Sequence, residues 1–562
     1  MTSYTCDFET VNDVNDCRVW AYSMCNIDTE EIEYGINIES FFNNIKNRNL
    51  KLYFHNLKFD GEFILYYLFR NGYKYNEKCY EKSFKTVIAD TGQWYMMKIH
   101  NGYDQKGKPC YLTIIDSLKI LPFSVDKIGK DFNLGVEKLE IDYNKERPIG
   151  YQLTLDEIAY IKNDVLIVAK ALKILFNMKL NKTTQGSNAL YDYKQSIGGE
   201  KNFRKWFPLL SYENDKIIRK AYRGGFTYLN PKYKDKIVNG GKVYDVNSLY
   251  PYIMYTRLLP YGEPLEFSGK YKNNKNYPLY IQIIRCQFEI KENKIPTIQL
   301  KHTGIFNDTE YLTSSGNEDV ILYLTNVDYE LFIEQYNIYN IEYLGGFCFK
   351  ARKGMFKKYI DKWVKVKIES KQTGNKSLYT LAKLMLNALY GKFGLNPDVK
   401  SKIPFFDGEL VHYKISDSEV REGIYIPMAI FITSYAREKT IRSAQSLYKR
   451  FIYADTDSLH IECDKNFIPD LDIDSVKLGY WDNELIFEKG KYNRQKRYIE
   501  YGYEPKDPDK KFLKVTCAGM PSTCHSYVNF DNFKNGTEIP GKLQNKRVKG
   551  GVVLISIPFT IK

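Results

Sequence analysis

Residues 451–463 read FIYADTDSLHIEC, two apolar runs rich in β-branched and aromatic residues around Asp455 and Asp457. The runs predict strands with the aspartates at a hairpin tip, and the i, i+2 spacing turns both carboxylates to one face. Side by side they repel, and a cation between them is the simplest relief. An EF-hand would need ligands at further alternate positions and a glutamate at the twelfth, which Thr456, Ser458, Leu459 and His460 do not supply. A D-x-D pair that shares divalent ions with a third carboxylate is instead an arrangement for phosphoryl transfer. Asp245, in YDVNSLYP (residues 244–251), is the candidate third acid. Taken alone, each motif also fits exposed turn aspartates.

The run KLMLNALYGK (residues 383–392) adds a different chemistry. Lys383, Asn387 and Tyr390 fall on one helical face, while Leu381, Leu384 and Ala388 lie on another and can pack. From Arg352 to Lys392 there are eleven Lys/Arg against only Asp361 and Glu369. A basic helical pair facing a metal site suits a nucleoside triphosphate. A solvated basic helix explains the charge, but not why Asn and Tyr share the lysine's stripe.

A second set of acids lies near the N-terminus. Asp7 and Glu9 alternate along CDFET (residues 6–10), Asp60 sits in FHNLKFDG (residues 54–61), and Asp164 follows Tyr160 by one helical turn in YIKND. Four acids on separate elements, with a tyrosine on the last acid's face, suit two-metal hydrolysis of a phosphodiester. Ordinary surface acids are the alternative, although Asp7 and Asp60 stand beside apolar residues where an unpaired charge is costly.

The 562 residues predict two to four packed units rather than one core. The net charge of +14 suits a polyanionic partner. The 49 tyrosines, interleaved with lysines, can stack on bases or simply fill cores. Ten cysteines and six histidines show no zinc spacing, which predicts free thiols in a reducing compartment. The N-terminus carries no signal-peptide pattern, and the longest apolar run, Ile424 to Ile432, is far short of a membrane span.

Residues 51–69 read strand, turn, helix; residues 154–175 read as a helix capped by Thr154; residues 241–255 read as a strand turning into a helix. The first α/β unit is expected to end near Asn188, and a loop-rich stretch is expected from about Asn293 to Gly354. Two helices follow, joined by Thr373–Asn375, then a hairpin within residues 396–416 and a basic, strand-like tail.

With these residues in view, the chain resembles the family-B DNA polymerases, specifically the protein-primed enzymes of phi29-type phages. The motifs DVNSLYP, KLMLNALYG and YADTDS stand in the family's order behind three exonuclease motifs, so the resemblance spans essentially the whole chain. It implies a multidomain α+β fold: an RNase H-like 3′-5′ exonuclease (residues 1–188) joined to a right-hand polymerase. The palm would comprise residues 189–299 and 421–517, the fingers 353–395 and the thumb 518–562. Insertions at 300–352 and 396–420 would dock the terminal protein and support processivity with strand displacement. Asp245 and Asp457, with the Val246 carbonyl and with Asp455 close by, would hold the polymerase metals. Tyr250, beside Ser248 and Leu249, would lie under the sugar of the incoming nucleotide and exclude a ribose 2′-OH. Lys371 and Lys383 would hold the triphosphate, and Asn387 and Tyr390 would contact the nascent pair. The family carries a lysine where this chain has Tyr379, a departure Lys376 could cover. Lys496 and Tyr498 would steady the primer end, and Tyr222, Arg223, Gly224 and Gly225 of YRGGF would coordinate DNA between the two sites.

In the exonuclease, Asp7, Glu9, Asp60 and Asp164 would hold metals, Tyr160 and Lys138 would assist, and Thr10, His55, Asn56, Phe59, Ser117 and Leu118 would grip a frayed strand. The resemblance further implies magnesium, replaceable by manganese, with two ions per site. Template-primer DNA, deoxynucleoside triphosphates, a terminal protein and a single-stranded-DNA-binding protein would be the partners. The chain would act as a monomer in the cytoplasm of an infected bacterial host, without a membrane.

Overall fold

The computed structural model describes residues 1–562 apart from 144 and 302. The N-terminal unit is built on an eight-stranded sheet. Its strand Thr2–Thr10 pairs antiparallel with Val19–Asn26 and parallel with Leu50–Phe54, which pairs parallel with Pro109–Asp116. Helix Leu155–Asn177 starts at a full capping box between Thr154 and Glu157, as its sequence predicts. It packs across the first two strands, where the Thr5 and Ser23 hydroxyls donate to its Val165 and Ile161 carbonyls at 2.8 and 2.7 Å. These buried bonds fix the helix's rotation, and with it the direction of Asp164.

A second eight-stranded sheet has Gly241–Val246 at its centre, flanked antiparallel by Ser458–Glu462 and Trp481–Arg494. Helix Ile426–Ser446, buried along most of its length, leads into Phe451–Asp455, the first arm of the D-x-D hairpin. Helices Lys357–Gln372 and Lys376–Phe393 pack against one another as expected. The packing face of the second is Leu381, Ala382, Met385, Leu386 and Leu389; Leu384 and Ala388, expected to pack, only flank it and are half-buried.

The stretch expected to be loop-rich is so only up to about residue 319. Strand Val320–Thr325, helix Asn326–Gln335 and the long strand Tyr336–Arg352 follow. The two strands belong to a four-stranded sheet whose first strand begins at Leu259, so residues 320–352 pair with chain from before residue 300. The last residues form a hairpin, Glu538–Val548 with Gly551–Thr560. All ten cysteines are free, in keeping with the sequence. Among the described residues no helix is long and apolar enough to cross a membrane.

One buried ion pair ties the inserted unit to the long helix. Asp328 accepts from Arg437 at 2.7–3.1 Å and from Ser434 at 2.7 Å. Burial alone would raise the Asp328 carboxyl, but the Arg437 and Arg223 charges hold it below its ordinary value. Arg437 also donates to the Arg223 and Gly224 carbonyls at 2.9 and 2.8 Å. Removing one member strands a buried charge, so Asp328→Ala should cost about 3–5 kcal/mol in urea unfolding. Asp328→Leu combined with Arg437→Met should cost less than either single truncation; a double variant that is worse than both would show that the pair itself is not the source.

Candidate active sites

The D-x-D hairpin is as the sequence predicts, with its turn held from three sides. Thr456 takes a left-handed backbone conformation (φ 62°), and the Asp457 N–H donates to the Asp455 carbonyl at 2.7 Å. The Thr456 N–H donates to the Phe226 carbonyl, and its own carbonyl accepts from the Thr440 hydroxyl, both at 2.7 Å. Gly225 lies so close that a Cβ there would sit 2.4 Å from the Thr456 hydroxyl oxygen. Thus the segment Tyr222–Phe226, expected to link two sites through DNA, is also the floor of the catalytic turn.

Strand Gly241–Val246 brings Asp245 alongside. Its register pairs Asp245 with Ser458 on one side and Asp482 on the other, and the Val246 N–H donates to the Asp457 carbonyl at 2.8 Å. Burial, then Asp457 and Glu484, push Asp245 up to about 8, and burial and Asp455 push Asp457 up to about 6. The Asp455 carboxylate is already engaged. It accepts from the Thr227 hydroxyl at 2.9 Å and the Tyr453 hydroxyl at 3.3 Å, with Lys496 at 3.7 Å. The free pair is therefore Asp245 and Asp457. Asp482 and Glu484, which sequence reasoning missed, add negative charge beside them; only the strand register reveals them.

Ser248 opens helix Leu249–Thr256 in the left-handed region (φ 53°), Leu249 is buried, and Tyr250 stacks on Tyr390 with centroids 3.9 Å apart. The two rings join the metal turn to the helical pair, where Lys383 and Asn387 are exposed. Lys371, at the end of the first helix, is exposed as well. Lys367, one turn before Lys371, is a further candidate that sequence reasoning passed over. Burial, then Lys383 and Lys371, lower its pKa, so three ammonium groups converge without an acid among them. Tyr379 stands 5.7 Å under the Lys383 ammonium and supports it through its ring face. Lys496 is exposed, whereas Tyr498 is only 6% exposed and packs on Tyr453 and Tyr492.

The N-terminal acids also converge. Ligand oxygens of Asp7, Glu9 and Asp164 lie within 4.8 Å of one another. Asp60, on helix Leu57–Arg70, stands outside that set but close enough to feel Asp7's charge. Burial and Asp164 push Asp7 up to about 7; burial and the neighbouring acids push Glu9 and Asp60 well above their ordinary range. Lys138 bonds Asp164 and donates to the Tyr160 hydroxyl at 3.3 Å, and Tyr143 lies 2.6 Å from Tyr160. The other Asp164 oxygen is buried without a hydrogen-bond partner. Repelling carboxylates and one bare buried oxygen are an all-oxygen donor set that fits a hard divalent cation.

Around them, Thr10 and Phe59 are half-buried, Asn56 is exposed in a left-handed conformation, and Leu118 is half-buried. Asp116, not anticipated, accepts from the Asn56, Leu57 and Leu118 N–H groups at 3.0–3.3 Å and so sets this corner. Ser117, expected to grip DNA, is fully buried. Its hydroxyl donates to the Phe54 carbonyl and meets His55 Nδ1, both at 3.0 Å, while His55 Nε2 meets the Phe123 carbonyl at 2.7 Å. Ser117 and His55 therefore shape the wall, with their polar atoms already used.

The chain as a whole is similar to known DNA polymerases. A profile of the family described as "DNA polymerase type B, organellar and viral" matches residues 42–468. The DNA polymerase of Bacillus phage phi29 is 48% identical, with 100% of this chain and 99% of that protein covered. The DNA polymerase of Streptococcus phage Cp-1 is 31% identical over 100% and 98%. The solved structure of phi29 DNA polymerase with primer-template DNA and incoming nucleotides superposes with a TM-score of 0.95, at 47% identity and full coverage of both chains.

The repulsion at the N-terminal site has a thermal consequence. In EDTA, Asp7→Asn should melt about 2–4 °C above the unaltered protein, because one of the crowded charges is gone. Magnesium should then stabilise the unaltered protein more than the variant, in which the Asp245/Asp457 acids are the intact set; an equal response to magnesium would place the cation elsewhere.

Proposed function

This chain belongs to the organellar and viral type B DNA polymerases, and from that membership we infer that one polypeptide runs two opposed chemistries on the same primer end. It is a DNA-directed DNA polymerase of the phage type. We propose that the Asp245/Asp457 site adds deoxynucleotides and that the Asp7/Glu9/Asp60/Asp164 site removes mispaired ones 3′ to 5′. The observation that carries this reading is the presence of two separate carboxylate clusters, each holding acids far above their ordinary pKa, on two different sheets.

In the polymerase site, Lys367, Lys371 and Lys383 bind the triphosphate and neutralise charge that grows on the departing pyrophosphate. Tyr250, braced by Tyr390, presents a ring face to the sugar and leaves no room for a 2′-OH. Asn387 lies on the same helical face as Lys383, toward the forming base pair. Lys496 and the buried Tyr498 fix the strand that carries the primer end. Divalent cations, magnesium with manganese as a substitute and two per site, supply Lewis-acid activation of the attacking oxygen and charge neutralisation when bound by these carboxylates. In the exonuclease site Lys138 orients Asp164, and Tyr160 holds its hydroxyl beside them.

The same reading assigns the N-terminal unit to proofreading, the central sheet to the palm, the basic helices to the fingers and the terminal hairpin to the thumb. The four-stranded insertion would dock a terminal protein whose hydroxyl replaces a primer. The hairpin Lys402–Phe406 with Val411–Ile415 would lie along DNA for processive strand displacement. A single-stranded-DNA-binding protein is the expected helper. The chain would work as a monomer, and its phage relatives support a place inside an infected bacterial cell.

Two substitutions separate these roles. Asp457→Ala should lower primer extension by about 10²–10³-fold or more yet leave degradation of single-stranded DNA, and Asp7→Ala with Asp60→Ala should do the reverse. Loss of both activities in either variant, with the fold intact, would refute two independent sites. Tyr250→Val should reduce discrimination against ribonucleotides by about tenfold or more in single-nucleotide insertion, with deoxynucleotide use largely kept. Unchanged discrimination would remove Tyr250 from sugar selection.

A further inference from the structure

Glu62 is a buried acid that neither chemistry uses. It lies two residues after Asp60 on helix Leu57–Arg70, so the two side chains leave the helix on nearly opposite sides. Asp60 belongs with the metal acids, whereas Glu62 is 5% exposed and faces the other way. Among the described residues its one ion-pair partner comes from the far end of the chain: Arg547 Nε donates to Glu62 Oε1 at 3.2 Å. The Arg547 guanidinium in turn lies 4.5 Å over the ring of Tyr413, on the second strand of the inserted arm. The remaining Glu62 oxygen and the Tyr413 hydroxyl are both buried and without a hydrogen bond of good geometry, although each perturbs the other's ionisation.

Three separate parts of the molecule therefore meet at one carboxylate: the exonuclease unit, the arm and the terminal hairpin. Apolar packing runs through the same junction, since Val411 of the arm and Val552 and Val553 of the hairpin share one core with Phe63 and Trp94. At the hairpin tip, Gly550 (φ 100°) is pressed so closely on the exonuclease unit that a Cβ would meet the Cys17 carbonyl. Asn12 exchanges two hydrogen bonds with the Leu554 backbone, at 2.6 and 3.1 Å. Following the contacts from the palm through the terminal hairpin, the exonuclease unit and the arm back to the palm closes a ring. Arm and exonuclease unit also meet where the Asp90 N–H donates to the Lys400 carbonyl at 3.2 Å and Phe406 stacks on Phe69, while the Glu62–Arg547 pair is where the terminal hairpin meets the arm.

We propose that Glu62, Arg547 and Tyr413 are positioning residues that form a clasp holding this ring shut around duplex DNA. On a closed circular template the protein then leaves only when the clasp opens, whereas from a short linear duplex it can also slide off the end. The inference rests on the reading that the arm and terminal hairpin enclose DNA. A buried carboxylate paired with a half-exposed arginine suits a latch. It holds while both partners are present, and each opening must expose or strand a charge.

The test is dissociation of fluorescently labelled full-length protein into heparin, in EDTA so that no primer is degraded. It compares a primed closed circle with a short linear primer-template. Glu62→Ala and Arg547→Ala should each leave the circle at least about fivefold faster, while release from the linear duplex stays within about twofold. Glu62→Ala is the sharper variant, because removing an acid cannot weaken attraction to phosphate. The double variant should be no faster than the worse single one, since both remove the same contact. Single-nucleotide insertion by Arg547→Ala should be unchanged, which shows that the palm is intact. Equal acceleration on both DNAs, or none on the circle, would overturn the clasp. Replacing residues 402–415 by a short Gly-Ser turn separates the underlying reading. If that change does not hasten escape from the circle, enclosure itself fails; if it does while the clasp variants do not, only the clasp fails.

Discussion

Carboxylates held side by side in a low-dielectric environment repel, and in isolation each would protonate or swing away. At the centre of this molecule they cannot swing away, because the turn that carries Asp455 and Asp457 is bonded to Phe226, Thr440 and Val246 and pressed against Gly225. Those partners come from the connector, the long helix and the central strand. The helix is itself fixed by the Arg437–Asp328 pair, which also ties down the connector's carbonyls. The enforced closeness of two like charges is thus the constraint on which the surrounding packing depends. Relaxing any of these attachments would let the acids separate, and the site would lose its demand for a cation.

The two carboxylate clusters meet that constraint in the same way on unrelated sheets. In each, one acid is neutralised internally by a lysine and a tyrosine: Asp164 by Lys138 and Tyr160, Asp455 by Lys496 and Tyr453. The internally paired acid lowers the total repulsion enough for the others to coexist. The acids without such a partner keep their oxygens open to external cations. The differences follow from access. The N-terminal cluster is sunk between a sheet and two helices. The Asp245/Asp457 cluster sits at a strand end, open toward the exposed lysines of the helical pair.

What the sequence made legible was local. Hairpin, capped helix and strand-turn-helix segments announce themselves through period and turn chemistry, and the six acids that matter most lie in such segments. Residues 320–352 were misread as loop for a physical reason. Strand Tyr336–Arg352 is solvent-exposed over its first half, with asparagines, tyrosines and two glycines and no apolar alternation. Its regularity comes from pairing with Leu279–Ile290, which no local pattern encodes. The same holds for Glu484 and Asp482, brought to Asp245 by register alone. Lys367's position among other lysines likewise depends on how two helices pack. Ser117 shows the same dependence on the fold: only there does its hydroxyl meet the Phe54 carbonyl and His55.

Charges of both signs are left unsatisfied across the polymerase cleft. Among the described residues, Lys367, Lys371 and Lys383 form no ion pair, and neither do Asp245 and Asp457. Direct pairing would relieve both groups, yet the fold keeps the lysines on the helical pair and the acids on the sheet. Tyr250 and Tyr390 stand stacked between those elements. A ligand that carries cations at one end and a polyanion at the other relieves both strains at once. By linkage, each half of such a ligand must strengthen the binding of the other by the same factor. Either half alone meets only one of the two uncompensated groups. On the proposed reading, the spacing of these charges would favour a metal-bound triphosphate over a free metal or a free nucleotide before any base pair is read.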